Sequence, residues 1–372
     1  MDEITVIDWE LDDSEGLSVD LITSCNESAE NGDTEAQRIL ASAYYYGIIV
    51  EKDKKKALMW LKRAAEEGDD RALASLGDIY QKGEILEKDM EKGFHFIKKA
   101  SRSGYIPIMV RLAFCYEQGL GTSKDLRKAM AIYEEAEKNG NLLARYRLAL
   151  IYIQGKDGIE KNPLKAFTYA FSASKTGYPP ALELVGMFYM SGDVVNKDIK
   201  KGIDCFELAM RLGHMPSKYR YATELIRGEN IEQNIPKGIG MLSEMADEGI
   251  TSAMYSLGMI YYSGKYINQD KVKAFEYLKR CSDKEHPQAC FTVGLLYLGG
   301  EGVEKNYNEA FRFFKKAASY DYSYGYLYMG KMYMDKKLNI YDRDKAMNCF
   351  KYASELGNKQ AFEILKKWFD MK

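Results

Sequence analysis

The stretch that decides the fold is Ala72-Leu73-Ala74-Ser75-Leu76-Gly77-Asp78-Ile79-Tyr80-Gln81-Lys82-Gly83. Ala72, Leu76, Gly77 and Tyr80 are spaced to share one helical face, and the small Gly77 lets a second helix come close. Gly83 reads as a left-handed terminator of that helix. A short loop then reaches Asp89, whose carboxylate can accept the free N–H groups at the start of the next helix. That second helix closes at Gly104, so helix A, a loop and helix B occupy about 36 residues.

The same unit returns along the chain. Its small-residue pair is Leu40-Ala41, Leu76-Gly77, Leu112-Ala113, Leu148-Ala149, Val185-Gly186, Tyr221-Ala222, Leu257-Gly258, Val293-Gly294 and Met329-Gly330. Tyrosine follows three residues later in every copy but the sixth, which has Leu225, and glycine three further on in every copy but the ninth, which has Lys336. Helix B closes on glycine except at Glu285 and Asp321. Proline, which breaks helix interiors, gives an independent check: Pro107, Pro179, Pro180, Pro216 and Pro287 fall before helix A, and Pro163 and Pro236 fall in the first turn of helix B. The expected fold is therefore all-α, an α/α solenoid of nine 36-residue helix-turn-helix repeats, because one pair is too small to bury its own apolar face. The expected segments are an acidic and flexible stretch 1–16, a capping half repeat 17–32, repeats over 33–358 and a closing helix in 359–372.

The pattern Ala-x-x-x-Leu-Gly-x-x-Tyr-x-x-Gly at Ala72 to Gly83, with Lys-Asp-x-x-Lys-Ala at Lys52 to Ala57 and Ala-Ala-x-x-Gly at Ala64 to Gly68, resembles the Sel-1-like repeat family, a tetratricopeptide-like group. The resemblance implies a right-handed superhelix, helix A on the concave side, and an adaptor for protein complexes without catalytic residues.

Composition narrows the chemistry. The 372 residues carry 53 Lys and Arg against 55 Asp and Glu, which leaves no bulk cationic field for nucleic acid. Three His and 6 Cys leave little material for a metal site or a disulfide framework, so neither metal nor cofactor is expected and all six thiols are expected to be free. No cationic leader precedes an apolar core at the N-terminus, and no apolar run is long enough to span a bilayer, so the expected compartment is the cytoplasm and no membrane partner is expected. Two weak chemical motifs remain. Cys281, His286 and Cys290 could form a thiol-imidazole pair for a hydrolase, though both cysteines stand at small packing slots. Gly119-Leu120-Gly121-Thr122-Ser123-Lys124 is faintly like a phosphate loop, but it follows no strand. An RNA-reading solenoid would need polar readers where this chain has Tyr146, Tyr219, Tyr255 and Phe291.

The binding surface is expected opposite the core face of helix A, at its third, seventh and tenth positions. These read Tyr146, Leu150, Ile153; Met187 and Met190 after Glu183; Tyr219; Tyr255, Met259, Tyr262; and Phe291, Leu295, Leu298. Met and Tyr suit an adaptable peptide-binding groove. Beside them Arg111, Arg147, Arg220 and Arg227 would form a basic margin for an acidic-hydrophobic protein or peptide. The expected function is a non-catalytic interaction scaffold, with a dedicated regulator or inhibitor of one enzyme as the alternative.

Overall fold

The computed structural model describes residues 18–368, so the acidic stretch 1–16 lies outside the described residues. Twenty α-helices and one 3-10 turn make up the secondary structure of that span, and none of it is strand. The chain forms two compact units that divide between Asp198 and Ile199. The first contains α1 (Val19–Glu30), α2 (Thr34–Tyr46), α3 (Lys54–Glu66), α4 (Asp70–Lys82), α5 (Met90–Ala100), α6 (Ile106–Gln118), α7 (Leu126–Lys138), α8 (Leu142–Gln154), α9 (Pro163–Ser174) and α10 (Pro179–Ser191). The second contains α11 (Ile199–Arg211), α12 (Met215–Arg227), α13 (Ile235–Asp247), α14 (Thr251–Ser263), α15 (Lys271–Asp283), α16 (Pro287–Gly299), α17 (Tyr307–Ala318), α18 (Ser323–Met334), α19 (Arg343–Glu355) and α20 (Lys359–Trp368). Within each unit every helix packs on the next in chain order, which is the stacking of a solenoid.

The local signals act as their chemistry requires. Asp53, Asp89, Asp125, Asn162, Asn234, Asp270, Asn306 and Asp342 cap their helices B by accepting backbone N–H groups. Helix A ends on a left-handed glycine from Gly47 through Gly300. Two helix B turns keep that left-handed geometry without glycine, at Glu285 (φ 65°) and Asp321 (φ 55°). The small slots are close approaches: a methyl group on Gly294 would fall 2.6 Å from the ring of Phe314, which is fully buried.

In six repeats the recurring tyrosine of helix A has a cation over it. Lys56, Lys92, Lys128, Lys165, Lys273 and Lys345 stand 5.2–5.9 Å from the ring centroids of Tyr44, Tyr80, Tyr116, Tyr152, Tyr261 and Tyr333. Each lysine lies three residues after its helix B cap, so the Lys-Asp-x-x-Lys pattern couples the cap to the helix A ring. In the sixth repeat the ring has moved back one turn to Tyr221, and Lys237 still covers it at 5.4 Å. The departure at Tyr221 and Leu225 is thus compensated inside one helix pair. No helix among the described residues is long and apolar enough to cross a membrane.

Candidate functional site

The third, seventh and tenth positions of helix A lie where one helix A meets the next repeat, so their side chains are shared between stacking and the outer edge. In the first unit Tyr146 packs edge-on against Tyr178 with centroids 5.8 Å apart. Leu150 lines a polar hollow of about 310 Å³ with Gln154, Lys124 and Asp157, and Ile153 is half-buried. Met190 is buried at 8% exposure, whereas Met187, one turn back, is 39% exposed.

In the second unit the stripe is half-buried throughout. The Tyr219 hydroxyl pairs with the Ser256 hydroxyl at 2.8 Å. Tyr255 stacks on His286 at 4.7 Å, and Lys271, which pairs with Glu301, sits 3.5 Å from the Tyr262 ring centroid. Phe291 lies among Phe314, Tyr322, Tyr324 and Tyr328 at centroid distances of 5.1–5.7 Å. Met259 packs against the core of Leu257, Leu278 and Val293, while Leu295 and Leu298 pack against that of Phe314 and Met332.

The basic margin divides. Arg111 and Arg147 are buried and neutralised from within, so neither is a free cation at an edge. Arg111 donates to Asp78 of the preceding repeat and to Gln81 Oε1 at 3.3 Å. Arg147 clasps Glu117 through Nε at 3.1 Å and Nη2 at 2.6 Å, and Tyr133 donates to the same carboxylate at 2.8 Å. Burial pushes the Asp78 carboxyl up against the pull of Arg111, and burial with Glu117 beside it holds the Tyr133 phenol well above its usual range. Asp78, Glu117 and Tyr133 are buried partners of these arginines that reading one repeat at a time misses. Their signal is a spacing: an acid and an arginine 33 or 30 residues apart stand about one or two turns short of a full repeat. Arg227 is exposed and Arg220 half-buried.

The thiol-imidazole motif is taken up by structure. Cys281 is fully buried, donates toward the Thr251 carbonyl at 3.6 Å, and is pushed up to about 12 by burial and by neighbouring Cys290. A nucleophilic cysteine needs the opposite shift. His286 Nδ1 accepts the Ala289 N–H at 3.2 Å as the cap of α16. All six cysteines are free. The glycine-rich loop has a steric reason: a methyl group on Gly121 would collide with the Met90 carbonyl at the start of α5, and one on Gly302 with Lys271 in the same relation. No group of three or more His, Cys, Asp or Glu placed to hold a metal occurs among the described residues.

An array of stacked helix pairs with apolar slots between successive helices A defines an all-helical repeat protein. The Sel1 repeat model matches nine times, at 34–69, 70–105, 109–141, 142–178, 179–214, 216–250, 251–286, 287–319 and 320–358, and the chain belongs to the Sel1 repeat family. Proteins of that family generally mediate protein–protein interaction and are typically non-catalytic.

Solved structures agree on the fold. A Sel1 repeat protein from Oxalobacter formigenes is 23% identical, with a TM-score of 0.56 over 84% of this chain and 91% of that one. The c5321 protective antigen of uropathogenic Escherichia coli is 21% identical, with a TM-score of 0.52 over 92% and 82%. Yeast Tom70 is 14% identical, with a TM-score of 0.52 over 93% and 85%. No curated protein matches the sequence.

Proposed function

We propose that this protein is a non-catalytic cytoplasmic scaffold whose helix A surfaces hold a protein or peptide. In the first unit the contact residues are Tyr146, Leu150, Ile153, Met187 and Met190. In the second they are Tyr219, Tyr255, Met259, Tyr262, Phe291, Leu295 and Leu298, flanked by Arg220 and Arg227. One observation carries the reading: after stacking has used one side of these side chains, nearly all of them still reach the surface, and Met187 is 39% exposed. Soft, amphipathic Met and Tyr edges suit an extended segment or an amphipathic helix. Six free thiols fit a reducing compartment.

Met259→Lys tests this surface. The lysine stem can follow the apolar wall while the ammonium reaches water, so the melting free energy should fall by no more than about 1 kcal/mol. Binding of the protein or peptide retained by the parent chain should be lost. A loss of several kcal/mol would make Met259 core and withdraw the surface at this repeat, because a buried unpaired ammonium carries that cost. Tyr80→Ala, on the helix-pairing face, is the control for core damage.

A further inference from the structure

The ninth repeat breaks its register where the others have the glycine that ends helix A. Lys336 stands there, α18 stops one residue early at Met334, and Asp335 is extended (φ −80°, ψ 107°) instead of left-handed. Beside this altered turn, against α19 and α20, lies a cavity of about 590 Å³. Met334, Phe350, Ile364 and Trp368 supply its apolar wall, and Lys331, Lys336 and Arg343 face one acid, Asp335.

These charges are unevenly satisfied. Asp335 is turned into its own loop, where Oδ1 accepts the Lys337 N–H at 2.9 Å. Arg343 donates to the Trp368 carbonyl at 3.1 Å. Lys331 pairs with no carboxylate among the described residues: its Nζ donates to Gln360 Oε1 at 3.3 Å and stands 4.5 Å from the Tyr328 centroid. Lys336 likewise has only a ring, that of Tyr341 at 5.8 Å. Burial holds the Lys331 ammonium below the ordinary lysine range, so a carboxylate brought to it would supply the missing counter-charge in a partly dry setting.

We propose that this cavity binds an acidic peptide segment carrying a bulky apolar side chain. The side chain seats on Phe350, Ile364 and Trp368, and the flanking carboxylates pair with Lys331 and Lys336. The site is separate from the helix A surface of repeats 4 to 8 and stands without it. Charge complementarity names the ligand: two lysines that pair with no acid among the described residues, beside an apolar floor. Residues 2–15 of this chain have that character, with seven Asp and Glu, no Lys or Arg, and Ile4, Ile7, Trp9 and Leu11 between them.

A fluorescein-labelled peptide of residues 2–15 titrated into the full chain, followed by anisotropy, tests the proposal. Lys331→Gln and Lys336→Gln should each weaken binding by about tenfold with unchanged melting, and added salt should weaken it further. Lys305→Gln, in another repeat, should leave it unchanged. Carbodiimide coupling of the isotope-labelled peptide, which joins a carboxylate to a touching amine with loss of water, should yield amide bonds at Lys331 or Lys336. The same bonds formed by the chain's own residues 2–15 also support the site, and they account for weak capture of added peptide. Equal binding by a peptide whose acids are replaced by Asn and Gln overturns the proposal. So does full-strength binding to the double lysine variant, octanoate binding without peptide binding, or the absence of both binding and coupling.

Discussion

In repeats 2 to 4 an acid late in one helix A meets an arginine at the fourth position of the next, Asp78 with Arg111 and Glu117 with Arg147. In repeats 7 and 8 the seventh positions are Met259 and Leu295, and contact with the next repeat runs through rings: Tyr255 on His286, Phe291 on Tyr328. Both solutions seat one helix A on the next, and they differ in what they specify. A buried carboxylate accepting from a guanidinium at two points admits one register, but its Coulomb gain is largely offset by desolvation. A ring cluster contributes area and tolerates small slides, since its forces are less directional. The first unit is therefore expected to be rigid at these joints, and the second more adaptable.

Breaking an ionic joint should have the largest effect. Arg147→Met strands Glu117, buried at 9% exposure, and should cost about 3–5 kcal/mol of unfolding free energy in denaturant titration. Adding Glu117→Gln should recover most of that loss, because the penalty belongs to the unpaired charge rather than to the missing contact. If the double variant is as unstable as the single, the joint is held by packing and the contrast between the units fails.

Phe291→Ala probes the other solution and should cost about 2 kcal/mol, less than for a fully buried ring because Phe291 is only partly buried. No second substitution should rescue it by charge, which distinguishes the two joints in the same titration.

The sequence makes some of this contrast plain and hides the rest. Helix order, caps and terminators follow from spacing within one repeat, where Asp89, Gly83 and Pro107 act on their own neighbours. Leu225 replaces the usual tyrosine in the sixth repeat, yet Lys237 follows the ring displaced to Tyr221, a compensation visible only once helices A and B are paired. The basic margin was misread at Arg111 and Arg147 because both partners come from the preceding repeat. Two arginines on one wheel position look like an edge until the helix that covers them is known. The altered turn at Lys336 was legible as a departure, but the cavity beside it depends on α20, which lies outside the repeat.

His286 sharpens the comparison with pH. Its Nδ1 must stay unprotonated to cap α16, and burial lowers its pKa from the 6.5 of an exposed histidine. An unfolded chain then binds the proton more readily, so this contribution is complete above pH 6.5 and is lost as the pH falls through the interval between the two values. Melting should decline as the pH falls below about 6.5, by part of the roughly 1 kcal/mol that a helix cap is worth. His286→Asn, a cap that does not titrate, should flatten that portion of the profile. An unchanged slope would remove the histidine from the account.

The smallest effect separates the units by their helix B terminators. The first unit closes these turns with Gly68, Gly104, Gly140 and Gly177, all at positive φ, while the second uses Gly213, Gly249 and Gly357 but also places Glu285 and Asp321 in the same conformation. A side chain there is strained by roughly 1 kcal/mol, and glycine would relieve it while returning some entropy to the unfolded chain. Asp321→Gly should thus stabilise the protein by about 0.5 kcal/mol, read as a small rise in the denaturant midpoint at constant slope. Glu285→Gly should gain less, because it also removes the carboxylate beside the Tyr320 phenol. Destabilisation by Asp321→Gly would mean that the aspartate holds its turn through a contact worth more than the strain.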